Sequence, residues 1–126
     1  MNTLTHRALG DLGENAVVRY LKRHFFRVLE RNYTVKGGEI DIIAARFSYI
    51  VFVEVKTRKQ ETDTDKYGHA QDAVTPDKIA HLRYAASRYL AKHPTTKKPR
   101  FDIAEVYYTE TAGKRRFTVT YRKEAF

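Results

Sequence analysis

The chain contains no cysteine, which excludes disulfides, a thiolate-ligated zinc site and catalysis by a cysteine nucleophile, and is compatible with a reducing compartment. Its five histidines are scattered without zinc-site spacing, so His69 and His81 are read as surface or loop residues. No apolar stretch approaches the length that crosses a bilayer, and the opening MNTLTHRALGDLGENA lacks the continuous apolar run of a signal peptide. A cytoplasmic protein with no membrane partner is expected. Internal repeats, linkers and low-complexity tracts are also missing, and 126 residues leave too little chain for two cores, so residues 1–126 are expected to form a single domain.

What the chain has in excess is positive charge. There are 24 Lys and Arg against 15 Asp and Glu, for a formal net charge of +9. Such a balance points to a polyanionic partner, nucleic acid first, although a cation-rich surface also serves solubility or an acidic protein partner. Hydrophobic residues make up 42% and charged residues 31% of the chain, the balance of a folded globular protein.

Periodicity supplies the elements. Thr5 can cap a helix running to about residue 24, with Leu9, Leu12, Ala16, Val17, Tyr20 and Leu21 recurring on one side. Residues 27–35 read as a strand that ends in a tight turn at Gly37-Gly38. In GEIDIIAAR, strict alternation puts Ile40, Ile42 and Ala44 on one face and Glu39, Asp41 and Ile43 on the other. In IVFVEVK it separates Val51, Val53 and Val55 from Ile50, Phe52, Glu54 and Lys56. The polar stretch from Thr57 to Ala73 reads as a loop able to close over a ligand. Thr75-Pro76-Asp77 then starts a second helix whose buried side is Ile79, Leu82, Ala86 and Leu90, with Tyr89. FDIAEVYY and RRFTVTYR, joined through TETAGK, form an antiparallel hairpin. The expected order is αβββαββ, an α/β fold with a central mixed sheet flanked by helices.

The chemistry lies where charged residues interrupt core-forming strands. Glu54 and Lys56 stand two apart and share a strand face, and a short connection can bring Asp41 alongside. Two neighbouring buried carboxylates repel unless a cation offsets them. Magnesium or manganese suits such a pair, since magnesium takes one or two protein carboxylates together with water and phosphate oxygens. Asp41 and Glu54 are therefore candidate ligands, and Lys56 is a candidate to position water or stabilise developing charge. Glu14 lies near the apolar face of the first helix, where it either completes the metal pocket or pairs with a base such as Arg7 or Lys22. Glu39 ranks below Asp41, because Gly38 can place it in the turn. Taken alone, a carboxylate and lysine two apart on a strand are more often a solvated or salt-bridged pair.

An Asp followed, about a dozen residues on, by Glu-x-Lys at the end of an apolar strand resembles the PD-(D/E)XK nuclease signature. More narrowly, GDLGENAVVRYL, RNY, GGEIDIIA, FVEVKTR, AVTPDKIAHLRYAASRYL and RFDIAEV resemble, in order and over nearly the whole chain, the YraN family of small bacterial proteins, also called UPF0102. The resemblance implies a restriction-endonuclease-like fold, similar to that of archaeal Holliday-junction resolvases. It also implies a divalent-metal site of Glu14, Asp41, Glu54 and Lys56. Ile40 replaces the signature's usual Pro before the Asp.

These features together predict a magnesium- or manganese-dependent endonuclease, with DNA favoured over RNA. Arg58 and Lys78 are candidate phosphate contacts, and Lys97-Lys98 and Lys114-Arg115-Arg116 are candidate extensions of the footprint. A homodimer is expected by analogy with resolvases. Two rivals are a nucleic-acid-binding module without catalysis and a protein-interaction domain using tyrosines such as Tyr107, Tyr108 and Tyr121, which more simply serve as core or cross-strand residues.

Overall fold

The computed structural model describes residues 5–59 and 74–126. Helix α1 (His6–Arg23) starts where the Thr5 hydroxyl accepts the Ala8 N–H at 3.0 Å, an N-cap that satisfies one otherwise orphaned donor. It buries Ala16, Val17, Val18 and Leu21, whereas Leu9, Leu12 and Tyr20 are only half-buried. The helix ends in a Schellman turn, in which Phe26 N–H donates to Leu21 C=O at 2.9 Å and Phe25 N–H to Lys22 C=O at 3.1 Å. Phe25 holds the left-handed position there, at φ 68°.

Five strands follow the expected order: β1 (Arg27–Val35), β2 (Gly38–Arg46), β3 (Tyr49–Lys59), then, beyond helix α2 (Pro76–Lys92), β4 (Lys98–Thr111) and β5 (Lys114–Arg122). They lie side by side in sequence order. All pairs are antiparallel except β3–β4, whose parallel pairing is made possible by the α2 crossover. Thr75 caps α2 by accepting the Lys78 N–H at 3.2 Å. At the β4–β5 turn Ala112 and Gly113 both have positive φ, as a two-residue hairpin with right-handed strand twist requires. Three boundaries differ from expectation, one being the hairpin: β4 runs on to Thr111 and β5 starts at Lys114, so the expected TETAGK connection shrinks to Ala112-Gly113. The β3 strand runs through Thr57 and Arg58 to Lys59, and β4 begins three residues before Phe101, because the long β3–β4 ladder continues from Tyr49↔Lys98 to Lys59↔Tyr108. The rest of the expected ligand-closing loop, including His69, lies outside the described residues.

Each face of the sheet carries its own core. Toward α1, Ile42, Ala44, Val51, Val53, Ala104 and Val106 pack with Val17 and Leu21. Toward α2, Ile43, Ile50 and Phe52 pack with Leu82, Ala85, Ala86 and Tyr89. Ile40 belongs to the α2 face, not to that of Ile42 and Ala44 as strict alternation requires. The β2–β3 ladder correspondingly runs from Ile42↔Val53 to Arg46↔Tyr49 and does not reach Asp41. The strand's phase changes across Asp41, which frees that side chain from either core.

At the far end of the sheet, fully buried Asp102 binds Arg100 through two guanidinium nitrogens, both at 3.0 Å, and accepts the Tyr121 hydroxyl and the Glu124 N–H. With all its charge satisfied, this cluster fastens the C-terminal residues to β4.

Helix α1 meets β3 at Gly13, where an added Cβ would stand 1.9 Å from Thr57 Oγ1 and 2.9 Å from Thr57 Cβ. Gly13→Ala is expected to destabilise the fold by roughly 1–3 kcal/mol, the usual cost of overpacking. Urea denaturation should show much of that loss recovered in Gly13→Ala/Thr57→Gly. Strict additivity of the two single changes would contradict the contact.

Candidate metal centre

The Asp41 carboxylate sits where β2 and β3 part, and its Oδ2 accepts the Val55 N–H at 2.8 Å. A side chain thus replaces the backbone acceptor that a continued ladder would have supplied. Beside it on β3, Glu54 is 5% exposed, and the two acidic groups stand close enough that each shifts the other's proton affinity. Burial, then the hydrogen bond to Glu54 and the charge of Glu54, push the Asp41 carboxyl up to about 8, against the opposing Val55 N–H and with help from Glu14.

Glu54 moves the other way. Burial alone would raise it, but the hydrogen bond from Asp41, the Lys78 ion pair and the charge of Lys56 together hold it below its ordinary value. Lys78 Nζ lies 2.9 Å from Glu54 Oε2, brought there from the first turn of α2 by the Thr75 cap. Lys56, half-buried on the same β3 face, neighbours Lys78. Burial and that neighbouring cation lower its pKa, outweighing the carboxylates, while burial would lower Lys78 too but is outweighed by its coupling to Lys56 and by the Glu54 and Asp41 charges, which raise it. Asp41, Glu54, Lys56 and Lys78 therefore form one connected charge cluster.

The other expected residues stand apart from it to differing degrees. Glu14 is buried and accepts Arg31 Nε at 2.8 Å and Asn32 Nδ2 at 3.2 Å, both on Oε1. Its base is thus supplied by β1, rather than by Arg7 or Lys22 on its own helix. It still faces Asp41 across a cleft of about 300 Å³ that Asp11, Val55 and Thr57 also line. Arg58 lies in register with Tyr107 on β4, a phenol that burial and Glu105 hold above its ordinary value against the opposing charges of Arg58 and Arg122. Glu39 is exposed in a groove with Thr75, Lys78 and His81, and His81 is a surface residue. Thr57 is the residue that sequence reading missed. Its buried Oγ1 has no hydrogen-bond partner among the described residues and borders the cleft. The period of two through Val53 and Val55 reaches it, but the polar composition beyond Lys56 disguises the strand.

Among the described residues no group of three His, Asp or Glu stands close enough to hold an ion. Two carboxylates are nonetheless the set that magnesium commonly takes from a protein, its remaining positions filled by water and phosphate oxygens. The pair fits: the two acidic groups disfavour each other's charge, a repulsion that a cation would relieve, and the unpartnered Thr57 hydroxyl borders the cleft beside them.

The sequence profile of the uncharacterised protein family UPF0102 matches residues 13–106, a span that contains Glu14, Asp41, Glu54, Lys56 and Lys78. The chain belongs to the UPF0102 family. It is 41% identical over 122 residues to a UPF0102 protein of Bacteroides fragilis, covering 96% of this chain and 93% of the relative. It is also 42% identical over 108 residues to one from Geobacter metallireducens, covering 85% of each. The chain thus spans nearly the full length of these UPF0102 relatives. No helix among its described residues is long and apolar enough to cross a membrane.

The raised Asp41 pKa fixes a direction for stability. The folded chain retains a proton that the unfolded chain releases above about pH 4, so metal-free stability falls as pH rises from about 4 to about 8. The lowered Glu54 group acts only below its ordinary 4.5. Asp41→Asn keeps an acceptor for Val55 and removes the titration. At pH 8 in chelator it is expected to be more stable than the parent by on the order of 1 kcal/mol or more, with a flatter profile between pH 5 and 8. Thermal denaturation across that range checks this, and parallel profiles for the two proteins would refute it.

Proposed function

We propose that this UPF0102 protein is a divalent-metal-dependent endonuclease that hydrolyses phosphodiester bonds of nucleic acid, DNA in preference to RNA. The observation that carries the proposal is the Asp41–Glu54 pair, a half-buried and a buried acidic group gathered with Lys56 and Lys78 at the parting of β2 and β3. The resemblance of these residues to the PD-(D/E)XK signature and the net charge of +9 support the same reading.

Asp41 and Glu54 would hold magnesium or manganese, with Glu14 as an auxiliary group across the cleft. When bound, the cation would supply polarisation of the scissile phosphate and of a water molecule. The chain's own residues divide the remaining work. The Val55 N–H orients Asp41. Lys56, half-buried on the β3 face of Glu54, would position the attacking water or stabilise the developing negative charge. Lys78, which pairs with Glu54 in the metal-free chain, would be available to meet a phosphate oxygen if a cation took over that carboxylate, and Arg58 would extend the cationic side of the site. The tyrosines that an interaction surface would need are largely inside: Tyr107 and Tyr108 are buried and Tyr121 is bonded to Asp102. A homodimer would let two such sites act on two strands.

One observation favours a non-cleaving binding module. The Lys78 ammonium already offsets the charge of Glu54, so the pair is stable without a metal. Linear duplex, single-stranded and four-way-junction DNA, incubated with and without magnesium or manganese, separates the two. Cleavage by the parent that needs metal and falls at least about 100-fold in Glu54→Ala is the expected result. Salt-sensitive binding without cleavage, unchanged in Asp41→Ala and Glu54→Ala, would select the binding module.

A further inference from the structure

We infer that the end of the sheet opposite the carboxylates is a second nucleic-acid site, one that takes the unpaired bases of a single strand. The surface is built at the turns following α1 and β2. Phe25 and Phe47 are 82% and 78% exposed, and both hold left-handed backbone conformations, φ 68° and 52°. The Schellman position of Phe25 is one that glycine or asparagine ordinarily fills, and a two-residue hairpin turn such as Phe47-Ser48 has the same preference. A bulky side chain there costs backbone energy and, being exposed, returns no core packing. Local rules broken without structural compensation mark positions held for another purpose.

The surroundings point to the ligand. Arg46 Nη1 donates to His24 C=O at 2.8 Å, tying the two turns together, and its guanidinium lies 4.3 Å from the Phe26 ring and 5.7 Å from that of Phe47. Lys97 Nζ donates to the Phe47 carbonyl, fixing that turn from the β4 side. Between the turns and the C-terminal residues opens a cavity of about 420 Å³, walled by Phe26, Phe47 and Tyr49 and by Arg46, Arg100 and Lys123, with Glu124 as its one carboxylate. Arg100 is neutralised by Asp102, so Arg46 and Lys123 supply the net positive charge. Arg46 covers the Phe26 ring and Arg100 lies over that of Tyr49, so the exposed Phe25 and Phe47 rings offer the faces for stacked bases, with cations beside them for the phosphates. Unpaired bases expose the faces such rings need, and a duplex does not. Phe47 lies six residues along β2 from Asp41, about 20 Å at strand spacing, so this site is separate from the carboxylate cluster. Its occupancy requires neither a metal nor catalysis.

The backbone geometry supplies a clean test. Phe25→Gly and Phe47→Asn place residues suited to positive φ in both turns, so the double variant should fold at least as stably as the parent. Its affinity for a fluorescein-labelled oligothymidylate, measured by anisotropy in chelator at low salt, should fall about tenfold or more, given the usual worth of base stacking on aromatic residues. Tyr84→Ala, which removes an exposed aromatic side chain of α2 away from both sites, should bind the oligothymidylate as the parent does. Equal affinity of the double variant and the parent would overturn the proposal, as would a parent that fails to bind the oligomer at all. A shift from dimer to monomer in the double variant, with oligomer affinity unchanged, would also overturn it and assign the surface to a second copy of the chain.

Discussion

The hydrogen bond from the Val55 backbone to the Asp41 carboxylate is the contact around which the carboxylate site is organised. It closes the β2–β3 ladder with a side chain, at the point where β2 changes phase. Because the acceptor is an acidic side chain, closing the ladder also gathers Asp41 and the Glu54 charge at one point. Fold and site therefore share one interaction. The same bond that lets β2 move Ile40 to the α2 core holds Asp41 in the position where its proton is hard to lose.

Everything near that bond answers the charge it creates. Lys78 comes from α2, and its arrival depends on the Thr75 cap, which sets the helix's first turn over the end of β3. Arg31 and Asn32 come from β1 and hold Glu14, leaving that residue to face Asp41 with its own counter-charge in place. Gly13 lets α1 approach so closely that Thr57 lies against the helix, which closes the cleft from below. Five elements thus converge where β2 and β3 part, and desolvation there makes each ion pair stronger than it would be in water.

The two ends of the sheet break local rules in different ways. At the carboxylate end the conflict is electrostatic, charge placed among core formers. At the other it is conformational, aromatic side chains placed where the backbone turns left-handed. The Asp102 cluster lies between β4 and the C-terminal residues, and its satisfied charges give that second end a rigid floor.

Short-range physics made much of this protein legible from its sequence. Helical spacing located both helices, Thr5 and Thr75 announced their starts, and alternation located the strands and singled out Asp41, Glu54 and Lys56 as misplaced in a core. The family itself was readable, because its motifs run in order along almost the whole chain. Where composition overrode pattern, reading failed. Polar residues after Lys56 concealed the last three residues of β3, and strict alternation put Ile40 on the wrong face, because no local signal shows where a strand changes phase. Only tertiary structure could decide the partners: that Arg31 neutralises Glu14, that Lys78 meets Glu54, and that Phe25 and Phe47 are carried on turns tied together by Arg46. Those pairings join residues on different elements. Sequence patterns record which way a side chain points along its own element, whereas its partners depend on how the elements pack.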